Sequence, residues 1–379
     1  MTNISLAQVS HASTNTLNNT LNNTLTNAST HTSTNASLSY IKDKVIVTGD
    51  RPTGKLHLGH YVGSLQNRLM LQDNNKMFII IADTQVMNND IKKCKEVRSN
   101  TLEVMRDYLA VGLDPNRVHF FLQSEVQELF ELTNYLSNIV SLPSVMRIPT
   151  IKSENSMYNQ EDKPLNMGFL NYPVSQTADI ILFDGQYVPV GIDQMPILEF
   201  ANDVIEKFNY IFKVQLNNRS LNNRSLFTRI EPLLSNCSKL VGIDGNAKMS
   251  KSLDNAIYLS SNEKDIEAKV KSMYTDSNHL KVSDPGQVEG NVVFSFLDIF
   301  HKDKDEVESL KAHYRQGGLG DMTLKRMLMQ DIKDLVLPIA DKRASYSDNE
   351  LKDILSSGNN YAKNQAKEKM LQIKEVIFN

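Results

Sequence analysis

The sequence predicts an α/β fold, a parallel sheet wrapped by helices and followed by a helical C-terminal region. Three observations carry this. Residues 45–48 are a β-branched run that ends in the Gly and Pro punctuation of Gly49-Asp50-Arg51-Pro52-Thr53-Gly54 and then opens a helix. Residues 77–83 are a continuous apolar run closed by Asp83, as expected of a strand buried on both faces. Helical spacing separates these runs from each other and from a third at Val118–Leu122. Strands joined by helices of that length imply right-handed crossovers and a parallel, Rossmann-type sheet. Ligands of such sheets bind beyond the carboxyl ends of the strands, where the 49–54 loop falls.

At 379 residues the chain has room for two or three domains and a sizeable core. Its 40% apolar and 22% charged content is that of a globular protein. A net charge of -3 argues against coating nucleic acid by charge alone, but leaves a local basic groove open. Cys94 and Cys237 lie far apart without Cys-x-x-Cys spacing, which gives no zinc site and fits a reduced, cytoplasmic setting. No apolar run approaches the roughly 20 residues of a membrane-spanning helix. Neither a membrane nor DNA is an expected partner.

Residues 1–39 are almost wholly Asn, Thr, Ser, Ala and Leu, with no lysine or arginine before Lys42. Secretory and mitochondrial leaders need basic residues there, so this stretch reads as a disordered, low-complexity tail. A catalytic domain is expected over 40–262 and a helical domain over 263–379. Within the first, helices are expected at 58–71, 91–111 and 126–139. Residues 148–168 are polar and read as an irregular loop. A helix over 171–183 enters through Tyr172-Pro173, because proline tolerates a first turn. Tyr187–Val190 is a short strand, 193–208 a helix, and a further short strand follows residue 252. Leu216-Asn217-Asn218-Arg219-Ser220 repeats at once as 221–225, the mark of a tolerated surface-loop duplication. The last stretch mixes Lys342, Arg343, Lys363, Lys367 and Lys369 with acids, the pattern of a solvated helix face.

His57 and His60 share one face of a first helical turn, where unpaired N–H groups and the helix dipole favour an anion. Gly59 between them lets a flat base or ribose approach the backbone. A bare His-x-x-His is more often an ordinary surface or core pair; the preceding strand and Gly/Pro loop shift the balance to phosphate. Lys248-Met249-Ser250-Lys251-Ser252 puts two cations and two hydroxyls on a short loop, which suits clamping a polyphosphate. Tyr172, Gln176 and Asp179 fall on one helical face and would line a polar-ended pocket. Gly191-Ile192-Asp193-Gln194 opens the next helix, where Asp193 is also a natural N-cap.

Together, His57-Leu58-Gly59-His60 and Lys248–Ser252 resemble the two signatures of class I aminoacyl-tRNA synthetases. Within that class the segments 49–63, 171–179, 188–194 and 314–318 are similar to the bacterial, tryptophan-activating branch. The resemblance runs from about Lys44 to the C-terminus. It implies ATP over Arg51, Pro52, Thr53, Gly59 and His60, with Gly191, Ile192, Asp193 and Leu240 at ribose and adenine. It further implies that Lys248 and Lys251 neutralise the departing pyrophosphate with Mg²⁺, that Met249, Ser250 and Ser252 beside them also contact ATP, and that the protein has no dedicated metal site. His57, His60, Lys248 and Lys251 are the implied catalytic residues. Asp179 corresponds to the indole N–H acceptor, and Tyr172 and Gln194 to the groups that hold the amino end of L-tryptophan. tRNA(Trp) is the implied partner, met at its anticodon by 263–379, and a homodimer through helices near 126–142 is the implied assembly. Arg51 stands where many relatives have Gln, and Gln176 where some have Met. Tyrosine activation and a nucleotidyltransferase that handles no tRNA remain the alternative readings.

Overall fold

Five short strands pair in parallel: β1 (Val45–Asp50), β2 (Lys76–Ile81), β3 (Val118–Leu122), β4 (Tyr187–Val190) and β5 (Glu231–Leu234). Their spatial order is β3-β2-β1-β4-β5. The computed structural model describes residues 38, 40–88, 91–160, 165–217, 226–234, 240–246, 249–251 and 253–378. The low-complexity tail apart from residue 38, the second repeat copy, Cys237, Lys248 and Ser252 lie outside them.

β2 is buried almost throughout, as its unbroken apolar run requires, and it pairs with β1 from Val45↔Lys76 to Asp50↔Ile81. The strand order turns back between β1 and β4, so the loops after these two strands flank the crevice where such sheets bind ligands.

Helix α1 spans 58–71, with a π-helical turn at Tyr61–Leu65 between its α-helical ends. α2 (Val97–Val111) follows a 3₁₀ segment, Ile91–Glu96, and ends at Gly112, whose φ of 111° suits glycine. α3 (Gln127–Ser137) and α4 (Leu142–Met146) come next. The expected irregular loop at 148–168 instead contains a helix, α5 (Pro149–Gln160). Its first residue is a proline whose fixed φ presets the opening turn, a start signal that the polar composition obscures. α6 (Met167–Ile181) begins four residues before the expected 171 because Asn166 caps it, accepting the Phe169 N–H at 2.8 Å. Pro173 therefore lies inside the helix and not at its start.

α7 (Met195–Asn217) follows β4 through the 3₁₀ turn Ile192–Gln194. The strand expected after residue 252 is reduced to a single antiparallel bridge, His57↔Tyr258. The rest is helical: α8 (Glu263–Lys271), α9 (Val292–Phe300), α10 (Lys304–Gln316), α11 (Asp321–Ser345) and α12 (Asp348–Phe378).

Of the lysines expected on a solvated face near the C-terminus, Lys367 on α12 is exposed, whereas Lys363 and Lys369 are engaged by the rest of the chain. Lys363 pairs with Glu125, Lys374 with Glu131, and the buried Lys369 with Asp184, all on the α/β part of the chain. α12 lies on the edge strand β3 so closely that a Cβ at Gly358 would sit 1.9 Å from the Phe120 carbonyl oxygen. Asn359 Oδ1 accepts the Leu122 N–H at 2.9 Å, and Tyr361 stacks on His119.

Candidate active site

The first half of the site is the turn into α1. His57 is its N-cap: Nδ1 accepts the Gly59 N–H at 3.2 Å, while the His57 N–H donates to His60 Nδ1 at 3.3 Å. The two rings thus form a reciprocal cap, with centroids 3.9 Å apart. A Cβ at position 59 would press to 3.0 Å on the His57 ring, so the glycine between the histidines eases their packing as well as leaving an opening. The turn is fastened from the far side of the chain: Leu58 N–H donates to Ile257 O at 2.9 Å, and Leu259 N–H to Leu56 O at 3.0 Å.

That fastening brings the second loop to the first. Met249 N–H donates to Leu240 O at 3.1 Å and Ser250 N–H to Asn255 Oδ1 at 2.7 Å. Lys251 then reaches across, donating to Gly54 O at 2.9 Å and Thr53 Oγ1 at 3.3 Å. Burial lowers its pKa, and the Asp107 and Asp50 carboxylates oppose that shift.

At the carboxyl end of β1, Asp50 Oδ2 accepts from the fully buried Arg68 at 2.7 Å and from the Tyr108 hydroxyl at 2.6 Å. Burial alone would raise the Asp50 carboxyl, but Arg68, then His60 and Tyr108, outweigh it and hold the pKa at about 2. A permanent anion therefore sits at the root of the histidine loop.

The other end of the crevice is organised around Asp179. Its carboxylate is buried, and Gln123 Nε2 lies 2.8 Å from each oxygen while Gln85 Nε2 donates at 3.2 Å. The Thr84 hydroxyl donates to Gln123 Oε1, which fixes which way that amide faces. Burial pushes the Asp179 carboxyl up to about 7; the Gln123 hydrogen bond opposes the shift and the nearby Asp83 adds to it. Tyr172 is raised to about 12 by burial and by Glu154, against the pull of Arg51, so its phenol stays a donor at neutral pH. Gln176 Oε1 is buried without a hydrogen-bond partner.

A cavity of about 520 Å³ joins the two ends. Of the expected ATP contacts, Arg51, Gly59, His60, Gly191, Asp193, Leu240 and Met249 line it, as does His57. Tyr172, Asp179 and Gln194 line it too, together with Gln176. Pro52, Thr53, Ile192, Ser250 and Lys251 are not in its wall; Lys251 is folded onto the 53–54 turn beside it. Gln85, Gln123 and the Asp50–Arg68–Tyr108 cluster were not singled out from the sequence. A signal for part of them exists: Asp50, Asp83 and Gln123 are the first carboxyl or amide residues met at the ends of three largely apolar strands.

Comparison with known proteins fits this geometry. Residues 42–337 match the model of the family described as tRNA synthetases class I (W and Y). The chain is 43% identical over 339 residues to the tryptophan–tRNA ligase of Streptococcus mutans serotype c, a match covering 88% of this chain and 97% of the relative. It is 43% identical over 342 residues to the tryptophan–tRNA ligase of Clostridium longisporum, covering 88% and 96%. Among solved structures it is similar to the Campylobacter jejuni tryptophanyl-tRNA synthetase complexed with ADP and tryptophan. That likeness has 30% identity and a TM-score of 0.74, and covers 88% of this chain and 99% of the other.

Proposed function

The chain belongs to the class I tRNA synthetases of the tryptophan and tyrosine group, and on that premise we propose that it is a tryptophan–tRNA ligase. It activates L-tryptophan with ATP and transfers it to tRNA(Trp). The observation that carries this reading is Asp179, a buried acceptor held by two glutamine amides at the opposite end of one cavity from a histidine-capped helical turn.

The tryptophan carboxylate attacks the α-phosphorus of ATP. A carboxylate O–P bond forms as the bond to the β-phosphate oxygen breaks, giving tryptophanyl-adenylate and pyrophosphate. The attacking group is already an anion, so no general base is required. Catalysis rests on positioning and on donors placed where phosphate charge grows. His60 does this from the helix turn with His57 in support, and Lys251 from the second loop together with Lys248. Mg²⁺ enters with ATP as the nucleotide's counter-ion; among the described residues no group of three His, Cys, Asp or Glu is placed to hold a metal. Tyr172 and Gln194 hold the ammonium end, and Gln176 Oε1 offers one further acceptor in the wall.

Asp179 takes the indole N–H. Phenylalanine would leave that acceptor unpaired, and such polar sites reject by as much as about 10⁴-fold. In the second step the adenylate passes its aminoacyl group to the terminal ribose of tRNA, with release of AMP. The 263–379 region meets the anticodon, the assembly is a cytoplasmic homodimer, and the exposed Phe130 and Leu142 lie in the 126–142 stretch assigned to its interface.

The chain contains no tryptophan, so bound ligand is the sole indole fluorophore. Ligand emission is expected to change in an ATP-dependent way, and tryptophan to drive ATP–pyrophosphate exchange. Exchange driven by tyrosine and not by tryptophan would overturn the reading.

A further inference from the structure

We propose that Arg343 and Asp107 position the phosphate-binding loop, so that a helix of the C-terminal region sets the geometry of the ATP end of the cleft. The inference rests on the ATP reading above and assigns these two residues a role in it.

Asp107, on α2, is fully buried and outside the cavity wall. Its Oδ2 accepts the Leu56 N–H at 2.7 Å, and its Oδ1 accepts from Arg343 Nε at 2.8 Å. The Arg343 Nη2 goes on to Glu103, one turn earlier on α2, so the guanidinium fork spans two carboxylates. Leu56 immediately precedes His57. Its carbonyl accepts the Leu259 N–H at 3.0 Å, from the segment that follows the Lys251 loop. The Leu56 residue is therefore held on one side by Asp107 and on the other by the chain that carries the second half of the clamp. The charged groups facing Asp107 are Arg343 from α11, Glu103 from its own helix and Lys251 from the loop.

Arg343 sits near the last turn of α11, which has 25 residues and spans roughly 37 Å. The opposite end of α11 is fixed to the 271–275 stretch: Lys325 donates to Lys271 O and Met273 O, each at 2.8 Å, and Asp321 accepts from Thr275. One helix, with Pro338 inside it, thus joins the 271–275 stretch, whose Tyr274 N–H donates to Ile243 O at 2.9 Å, to the residue before His57. Neither Arg343 nor Asp107 lines the cavity; both are positioning residues.

The test is tryptophan-dependent ATP–pyrophosphate exchange by the full chain, comparing Arg343→Met and Arg343→Lys with the wild type between pH 6.5 and 9. Arg343→Met is expected to raise KM for ATP about tenfold or more while KM for tryptophan stays within about twofold. Its ATP defect is expected to shrink as pH rises. Loss of the guanidinium removes a charge that opposes the effect of burial and so pushes the Asp107 carboxyl further up, and rising pH restores its charge and its grip on Leu56. Arg343→Lys keeps the charge but loses the fork, and is expected to fall between. Equal rises in both KM values, or a loss of thermal stability with both KM values unchanged, would overturn the proposal. If Arg343→Met does not fold, the same split in Arg343→Lys decides. A wild type with no exchange for any amino acid overturns the ligase reading and this inference with it.

Discussion

At the floor of the cleft, Asp179 has its hydrogen bonds in place before any ligand arrives, whereas at the mouth Lys251 is turned onto the protein's own Thr53 and Gly54. The amino-acid end is assembled from the ends of β2 and β3 and from α6, elements locked into the core. The phosphate end is assembled from two loops that hold each other. The difference separates the two tasks of the cleft: reading a neutral ring demands a fixed acceptor, while following a phosphate that gains charge and leaves demands cations that can exchange partners. On the proposed function, the Lys251 contacts are the ones that ATP would replace.

The largest expected effect is at the rigid end. Asp179→Ala is expected to lower kcat/KM for tryptophan by roughly 10³-fold or more, with ATP affinity retained, as read by exchange kinetics and nucleotide titration. Equal loss of both would erase the contrast between the two ends. Second comes the pH dependence of the same group. The folded-state pKa of Asp179 is raised from 3.8 to about 7, so the empty folded protein binds this proton more tightly than the unfolded chain. The stabilisation from that proton is complete below about pH 4 and is lost as pH rises through 7. Asp179→Asn is therefore expected to be more stable than wild type at pH 8, by up to about 4 kcal/mol, with the advantage shrinking at pH 5; paired thermal melts check the sign.

At the phosphate end, His60→Ala is expected to cut kcat for exchange by roughly 10²-fold, with tryptophan binding by ligand fluorescence unchanged. A matching fall in tryptophan affinity would mean that the ends are not independent. The smallest effect is expected from Gln123→Leu. It removes the hydrogen bond that opposes the rise in the Asp179 pKa, so the pH midpoint of tryptophan binding should move upward, with affinity at pH 7 down about tenfold. An unchanged midpoint would show that Gln123 fills space and does not tune the acceptor.

The sequence made local patterns legible and left long-range ones hidden. β1, β2 and β3 stood out because buried parallel strands are continuous apolar runs. β5 is four residues long with Pro232 inside, at the sheet edge where proline is tolerated, and carries no such signal. α5 was missed because its polar residues show little helical contrast. In the site, His57 and His60 are spaced by one helical turn and Tyr172 and Asp179 by two, and both pairs could be read. Gln123 and Asp179 are 56 residues apart, and Arg343 and Asp107 are 236 apart. No periodicity connects such pairs; only the sheet order and the return of α11 do.

The packing of α12 on β3 has a consequence for how the chain is made. β3 is an edge strand, and its cover comes from α12, far downstream in the chain, with Gly358 against Phe120 and Asn359 on the Leu122 amide. While translation runs through the two hundred and more intervening residues, that edge has unpaired backbone groups and offers itself to neighbouring chains. Premature termination before Gly358 leaves the exposure permanent. A polypeptide cut short by some thirty residues would still carry every side chain of the cleft, and the bared edge is expected to drive it to self-associate.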